Sequence, residues 1–214
     1  MQAPTSLPHP DEIILAAFKE HIMQGSGIRG DEFDRAAHLL RTAQFNKGEV
    51  LLETGSVCKD AFHVTKGLLR VATLDSDGNE HIVQFAPEGW FASDRGSMYF
   101  NEPSKLRIDA IEDSSVVLIG QDFFDAFSAA SEKFRSYNTT LLHNHIRHIQ
   151  DRVALLLGAR ADERYQTFIR MYPDLLLRVP QKMIASYLGI TPESLSRVRR
   201  ELAERNFKVR TEKK

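Results

Sequence analysis

Three features of the 214-residue sequence predict an α+β fold in successive parts. Glycines recur evenly in the first half, at Gly55, Gly67, Gly78 and Gly89. An apolar stripe runs through a segment free of Pro and Gly after residue 131. The run Gly189-Ile190-Thr191-Pro192 stands near the C-terminus. These read respectively as a sandwich or barrel-like β-roll, a long helix and a helix-turn-helix. The expected divisions are residues 1–128 for helices and roll, 129–158 for the long helix, and 159–214 for the C-terminal domain.

The chain opens on a short arm with no basic region leading into an apolar one, so it does not read as a secretory signal. From about residue 11 to 40 the pattern is helical. Ile13, Ile14, Ala17 and Phe18 form one apolar face, and Phe33, Ala36, Ala37 and Leu40 a second, across a Gly25-Ser26-Gly27 break. Asp11 and Asp31 stand where helix N-caps are expected.

Between about residues 42 and 119 the rhythm changes to short strands. The clearest are residues 50–53, 61–64, 68–74, 81–85 and 116–119, parted by the glycine turns. Asp77-Gly78 marks a hairpin. Trp90, Phe91, Met98, Tyr99 and Phe100 cluster after the last of these glycines. They are read chiefly as roll core, with an apolar pocket as the functional alternative.

Phe123, Phe124 and Phe127 suit a short helix against the roll. In the long helix, residues 131–157, Leu142, Ile146, Ile149, Val153 and Leu156 step by four and three, a coiled-coil-like seam. A helix of roughly 25 residues spans about 38 Å, long for a domain of this size, which predicts packing against a second copy. His143, His145 and His148 flank the stripe. They read as polar edge residues, with a metal shared by His145 and His148 as the alternative. Gly158 ends this helix, and a further one covers residues 161–171 before Pro173.

The C-terminal motif is the most informative. Pro180 suits the first turn of a helix whose apolar side is Met183, Ile184, Tyr187 and Leu188, and Ala185 is small where a second helix crosses. Gly189 allows a left-handed turn, Thr191 is an N-cap, and Pro192 takes the first helical position. Leu195, Val198 and Leu202 then face inward. Outward lie Glu193, Ser194, Ser196, Arg197, Arg199 and Arg200. This polar and basic face suits the major groove, where Arg reads guanine with two bonds and Glu accepts from cytosine. Gln181, Lys182 and Thr191 complete the candidate DNA-binding set, with Lys182 and Arg200 assigned to phosphates.

Charge supports that division. The whole chain carries 28 Lys/Arg and 29 Asp/Glu, yet residues 178–214 hold ten against four, a net of +6 on a body of −7. A basic end on an acidic body directs an anionic partner, double-stranded DNA, to the C-terminal part. Cys58 is the only cysteine. It excludes a disulfide framework and a thiolate metal site, and it points to the cytoplasm. It reads as a half-buried loop residue, with redox sensing as the alternative. No apolar run reaches membrane-spanning length.

In this order, the three parts resemble the CRP/FNR family of bacterial transcription regulators. The resemblance runs from about residue 31 to 208. It is carried by Phe45-Asn46-Lys47-Gly48-Glu49-Val50-Leu51, Gly55, and Val64-Thr65-Lys66-Gly67-Leu68-Leu69-Arg70. Asp77-Gly78-Asn79-Glu80, Phe85-Ala86-Pro87-Glu88-Gly89-Trp90-Phe91 and residues 184–202 complete it. It implies a double-stranded β-roll of the cyclic-nucleotide-binding-like jelly-roll type, a long dimerisation helix and a C-terminal winged helix-turn-helix. The chain would act as a homodimer on double-stranded DNA. Glu193 matches the family's recognition-helix Glu and Arg197 the Arg one turn later. Pro192 stands where some members carry an Arg. Few residues follow, so the wing is expected to be short or absent.

The effector pocket departs from the pattern. Ser93 stands where cyclic-nucleotide-binding members carry Glu, and Ser104-Lys105 where they carry Arg-Ser. Lys105 and Arg107 remain as anion contacts, with Phe85, Trp90 and Phe91 as apolar ones, but Lys lacks the bidentate fork. The expectation is an effector other than cyclic AMP, or none, and no cofactor. The N-terminal cysteine cluster of iron–sulfur oxygen sensors is absent. An activator of this kind also touches RNA polymerase.

Two other readings compete with this one. A cupin-like metal enzyme needs a His-x-His pair on a strand, whereas the one such pair, His143 and His145, lies on a helix. A constitutive DNA binder would keep the roll as a scaffold alone.

Overall fold

The computed structural model describes residues 9–211. The chain divides into two compact units, Met1–Leu74 with Val83–Leu142, and Asp75–Ile82 with His143–Lys214. The long helix is therefore shared between them rather than forming a part of its own. Its first turns bury Phe134 in the aromatic core of the first unit, which makes them inseparable from it.

The first unit opens with α1 (Pro10–Ser26) and α2 (Gly30–Ala36), followed by a short 3-10 turn, Ala37–Leu39. The expected caps are displaced. Pro10, with its preset φ, starts α1, so His9 is the cap: its ring accepts from the Asp11 N–H while Glu12 reaches back to the His9 N–H. Arg29 precedes α2 without a capping side chain, and Asp31 lies in the first turn, paired to Arg29 at 3.0 Å.

Eight strands follow: β1 (Leu40–Phe45), β2 (Val50–Leu52), β3 (Asp60–Lys66), β4 (Leu69–Leu74), β5 (Glu80–Ala86), β6 (Phe91–Ala92), β7 (Leu106–Ala110) and β8 (Ser114–Gly120). They form two four-stranded sheets, ordered β1-β8-β3-β6 and β2-β7-β4-β5. The predicted glycine spacing has a backbone cause, since all four glycines take φ between +81° and +91°. At Gly67 a side chain is also excluded by space: a Cβ would sit 2.6 Å from the Asp113 carbonyl.

The sheet containing β8 is buried on both faces. Val117 and Ile119 of β8 join Ala61 of β3 against α1 and the helix α4 (Gln121–Ala130). Val116 joins Phe62 and Val64 against Leu69, Val71 and Ile108 of the second sheet. The period-two alternation thus feeds two cores, both apolar. On the helical side Phe123, Phe127 and Phe134 pack together, with Phe127 and Phe134 stacked at 4.1 Å. Fully burying one such ring contributes about 1.5–3 kcal/mol.

The aromatic run after Gly89 does not form one surface. Trp90 packs against the core between the sheets and Phe91 against the helical core. Tyr99 and Phe100 lie on α3 (Arg95–Phe100), a helix absent from the sequence reading, and are 73% and 67% exposed. Asp94 caps α3 by accepting from the Ser97 N–H, a short polar signal within a run otherwise dominated by aromatics.

The second unit holds the hairpin tip Asp75–Ile82, the rest of α5 (Glu132–Gly158), α6 (Ala161–Met171), α7 (Leu175–Arg178), α8 (Gln181–Leu188) and α9 (Pro192–Thr211). Phe168, Tyr172 and Tyr187 make its aromatic centre, with ring centroids 5.4–5.9 Å apart. Helix α9 runs to the last described residue, so the expected short or absent wing lies outside the described residues.

One buried polar group stands out in the first unit. The His63 ring on β3 lies 4.6 Å from His21, 4.8 Å from Phe18 and 4.8 Å from Phe91, and neither of its nitrogens has a hydrogen-bond partner. Burial, with the neighbouring His21 second, pushes its pKa down to about 3. The unfolded chain binds a proton on this ring near pH 6.5 and the folded chain does not, so stability falls as pH drops from 6.5 toward 3. Between pH 7 and 5 the wild type should lose about 2 kcal/mol more than His63→Leu, measured by urea denaturation. Equal losses would show that the ring is not held neutral.

Candidate nucleic-acid interface

The C-terminal motif folds as its residues dictate. Helix α8 begins after Pro180, which sits at the N-cap, one position before the expected first turn. It ends in a turn with Gly189 at φ +64°. The Gly189 N–H donates to Ser186 O and the Ile190 N–H to Ala185 O, each at 3.1 Å, so two terminal carbonyls are satisfied. Thr191 then caps α9: its hydroxyl accepts from the Ser194 N–H at 3.2 Å. Glu193 has its carboxyl held below the usual range, by its own backbone N–H first and by the Thr191 hydroxyl second.

The buried side of the motif is Ile184, Ala185, Tyr187 and Leu188 of α8 with Leu195 and Val198 of α9, each at most 7% exposed. Ala185 is small at the crossing. The opposite side is exposed. Gln181, Lys182, Thr191, Glu193, Ser196, Arg197, Arg199 and Arg200 all face solvent, and Ser194 is half-buried beside Arg197, whose Nη2 lies 3.5 Å from its hydroxyl. All nine predicted DNA-contacting residues thus fall on one exposed motif. Arg205, further along α9, approaches Asp162 of α6 at 3.4 Å and ties α9 to that helix.

Arg152 is a residue the sequence reading missed. On α5, its Nη2 donates to Tyr187 O at 2.8 Å and to Ile82 O at 2.9 Å, while the guanidinium lies over the Tyr187 ring at 3.7 Å. Ser186 of α8 likewise accepts from the Ile82 N–H and donates to Glu80 O. These partners are 35 to 106 residues apart in sequence, and no local pattern signals them.

The stripe on α5 is open in the single chain. Leu142 is 38% exposed, Ile146 52%, Val153 49% and Leu156 39%, with Ile149 half-buried. His143 and His145 are exposed and His148 half-buried, and no group of three metal-ligating side chains forms among the described residues.

In the roll the five expected effector contacts differ in burial and surroundings. Phe85 is fully buried, Trp90 and Phe91 belong to separate cores, Lys105 is exposed, and Arg107 lies 3.7 Å from Glu53. The buried cation of the roll is Arg70, whose Nε donates to both oxygens of Asp109 at 2.9 and 3.0 Å. Ser104 donates to the Asp94 carboxylate at 2.7 Å. Cys58 is wholly rather than half buried, and burial raises its thiol pKa.

A roll of this topology, a long helix with an open apolar stripe and a helix-turn-helix with a basic face are the parts expected of a regulator that joins a sensor-like roll to a DNA-reading end. The comparisons agree. The cyclic nucleotide-binding domain profile matches residues 42–131. The chain is 27% identical over 183 residues to the anaerobic regulatory protein of Pasteurella multocida, covering 80% of this chain and 66% of that protein. It is also 27% identical over 183 residues to the nitrogen fixation regulation protein FixK of Bradyrhizobium diazoefficiens, covering 80% and 76%. The solved structure of FixK2 from Bradyrhizobium japonicum shares the fold, with a TM-score of 0.66 and 24% identity, over 78% of this chain and 86% of that one. The chain is thus similar in sequence to regulators of the CRP/FNR type and shares their fold.

Gly189 is the residue on which the motif's geometry turns. Its φ disfavours any side chain, and a Cβ there would press on Leu156 Cδ2 at 3.2 Å and Arg164 Nη1 at 3.4 Å. Gly189→Ala should destabilise the second unit by about 1–2 kcal/mol. Hydrogen exchange at α8 and α9 would report that loss, and unchanged protection would mean that the turn adopts another conformation.

Proposed function

We propose that the chain is a homodimeric regulator that reads DNA in a sequence-specific way through α9 and responds to an effector other than cyclic AMP, or to none. The observation that carries this reading is the exposed face of α9. Two satisfied turn carbonyls and a threonine cap hold Glu193, Arg197 and Arg200 on a rigid helix start. Rigid presentation of short polar and bidentate side chains is what base-edge reading in the major groove requires.

Dimerisation is supported by the α5 stripe. An apolar seam left about half exposed over a 27-residue helix is covered when two such helices pair. Pairing about a two-fold axis would present two α9 helices to half-sites roughly 34 Å apart. RNA polymerase is a further partner in the case of an activator. Among the described residues no helix is long and apolar enough to cross a membrane, and a cytoplasmic site of action fits a DNA reader. The regulator-family relatives favour a non-enzymatic role over the cupin-like alternative.

The case against cyclic AMP is electrostatic. Arg70 is already neutralised by Asp109, and Ser104 faces the Asp94 carboxylate, a negative neighbour for any phosphate. A buried phosphate without unpaired cationic contacts is disfavoured.

Selection from a random duplex pool should enrich an inverted repeat equally with and without cyclic AMP. Enrichment only with the nucleotide would sink the effector assignment, and no enrichment in either arm would count against sequence-specific reading. Arg197→Ala should weaken binding by about 1–3 kcal/mol at one base pair of each half-site and relax preference there. Lys182→Ala and Arg200→Ala should weaken all sequences alike and flatten the salt dependence. Unchanged preference in Arg197→Ala would place base reading elsewhere.

A further inference from the structure

The strand alternation that sends Ala61 of β3 to the helical core sends His63 there as well. Its ring meets Phe18 and His21 of α1 and Phe91 of β6. β3 is tied on both sides, with His63 opposite Val117 of β8 and Phe91 of β6. α1 instead lies on the roll through the buried side chains of Ile14, Phe18 and Ile22. The site suits a neutral imidazole. An imidazolium has two N–H donors, and neither ring nitrogen finds an acceptor there. Nothing nearby compensates a charge. Among the described residues His21 is the one titratable group whose charge bears on the ring, and it opposes protonation. Along α1, Lys19 is paired with Asp34 at 2.6 Å and Glu20 with Gln24 at 3.0 Å. β8 and β6 present Val117 and Phe91 at this point, and α4 presents Phe123 to Phe18. Glu88, in the turn before β6, accepts from the Gly67 N–H.

We propose that α1 is an acid-released cover on the roll: a protonated His63 is accommodated when the helix lifts from β3, and that release loosens the start of α5. Lifting α1 brings water to the ring while the backbone hydrogen bonds of the sheet stay intact, so the opening is local rather than global. His63 and His21, both held below the ordinary histidine range by burial, take up protons in the open form. Opening is therefore favoured progressively as pH falls below about 6.5.

The far end of α1 meets α5. Lys133 Nζ donates to Gly27 O at 3.0 Å, and Phe134 shares its core with Phe18 and Ile22. Gly25 lies so close to the Tyr137 ring that a Cβ would come within 2.5 Å of it. An opened α1 takes these contacts from the first turns of the helix that carries the apolar seam. The bearing of that loss on dimerisation rests on the pairing proposed for α5; the release of α1 does not.

The test is hydrogen exchange of the full chain, free of DNA, at pH 7 and pH 5, with rates corrected for the intrinsic effect of pH. Protection of the α1 amides should fall about 25-fold or more between the two, the change expected when one buried ring regains an ordinary histidine pKa on opening. The first turns of α5 should follow. Both segments should stay less protected than β3 and β8 at either pH. In His63→Leu the fall should shrink to about five-fold or less, the remainder belonging to His21. Carbon-13 spectra of the wild type need no variant: the His63 ring should remain neutral at pH 5. An equal fall in His63→Leu, or a His63 signal that titrates near pH 6.5, would overturn the proposal. So would α1 protection equal to that of β3 and β8 throughout, because release would then be global unfolding. First turns of α5 that keep their protection while α1 loses its own would overturn the link between the two helices.

Discussion

The strand β8 must satisfy two cores at once, and the first unit follows from that constraint. Its inward residues Val116 and Leu118 close the space between the sheets, while Val117 and Ile119 receive α1 and α4. A one-residue slip would exchange the two sets. The register is held by pairing on both sides, from Leu40 opposite Ile119 to Phe45 opposite Ser114, and from Asp60 opposite Gly120 to Val64 opposite Val116. With the strand fixed, α4 leaves it at Gly120 and brings Phe123 and Phe127 onto Phe134. The start of the long helix is thereby set by packing rather than by its own propensity.

What lies beyond Phe134 on that helix is set differently. Its apolar stripe is left largely uncovered by the described residues, and its mean hydropathy is low because polar residues fill the other faces. Such a helix is poorly stabilised alone in water, because isolated helices derive little from local hydrogen bonds. A second copy supplies what the chain lacks, and on the proposed reading the dimer is a condition of the helix's stability as well as of half-site spacing.

Legibility in the sequence tracked the range of the interactions. The helix-turn-helix was readable almost residue by residue, because Gly189, Thr191 and Pro192 act on backbone within three or four positions of themselves. The glycine rhythm of the roll was readable for the same reason, since a positive φ is a local demand. The seam was readable as period. The ion pair of Arg70 with Asp109 spans 39 residues, the Arg152 clasp 70 and 35, and the His63 environment joins α1, β3 and β6. None of these leaves a pattern in a single chain. The aromatic run after Gly89 was misleading because three neighbouring segments point its members to two cores and to solvent.

The long-range pairs also bear on where a signal can enter. In the roll the buried charge is internally balanced, Arg70 by Asp109, and the Ser104 hydroxyl is committed to Asp94. An anion entering there would have to displace a carboxylate from a low-dielectric site, which leaves one partner buried and unpaired. A ligand is favoured where it completes a set of hydrogen bonds and disfavoured where it must break one. By that criterion the roll resists an anionic effector, because each polar contact it could offer is already made within the protein.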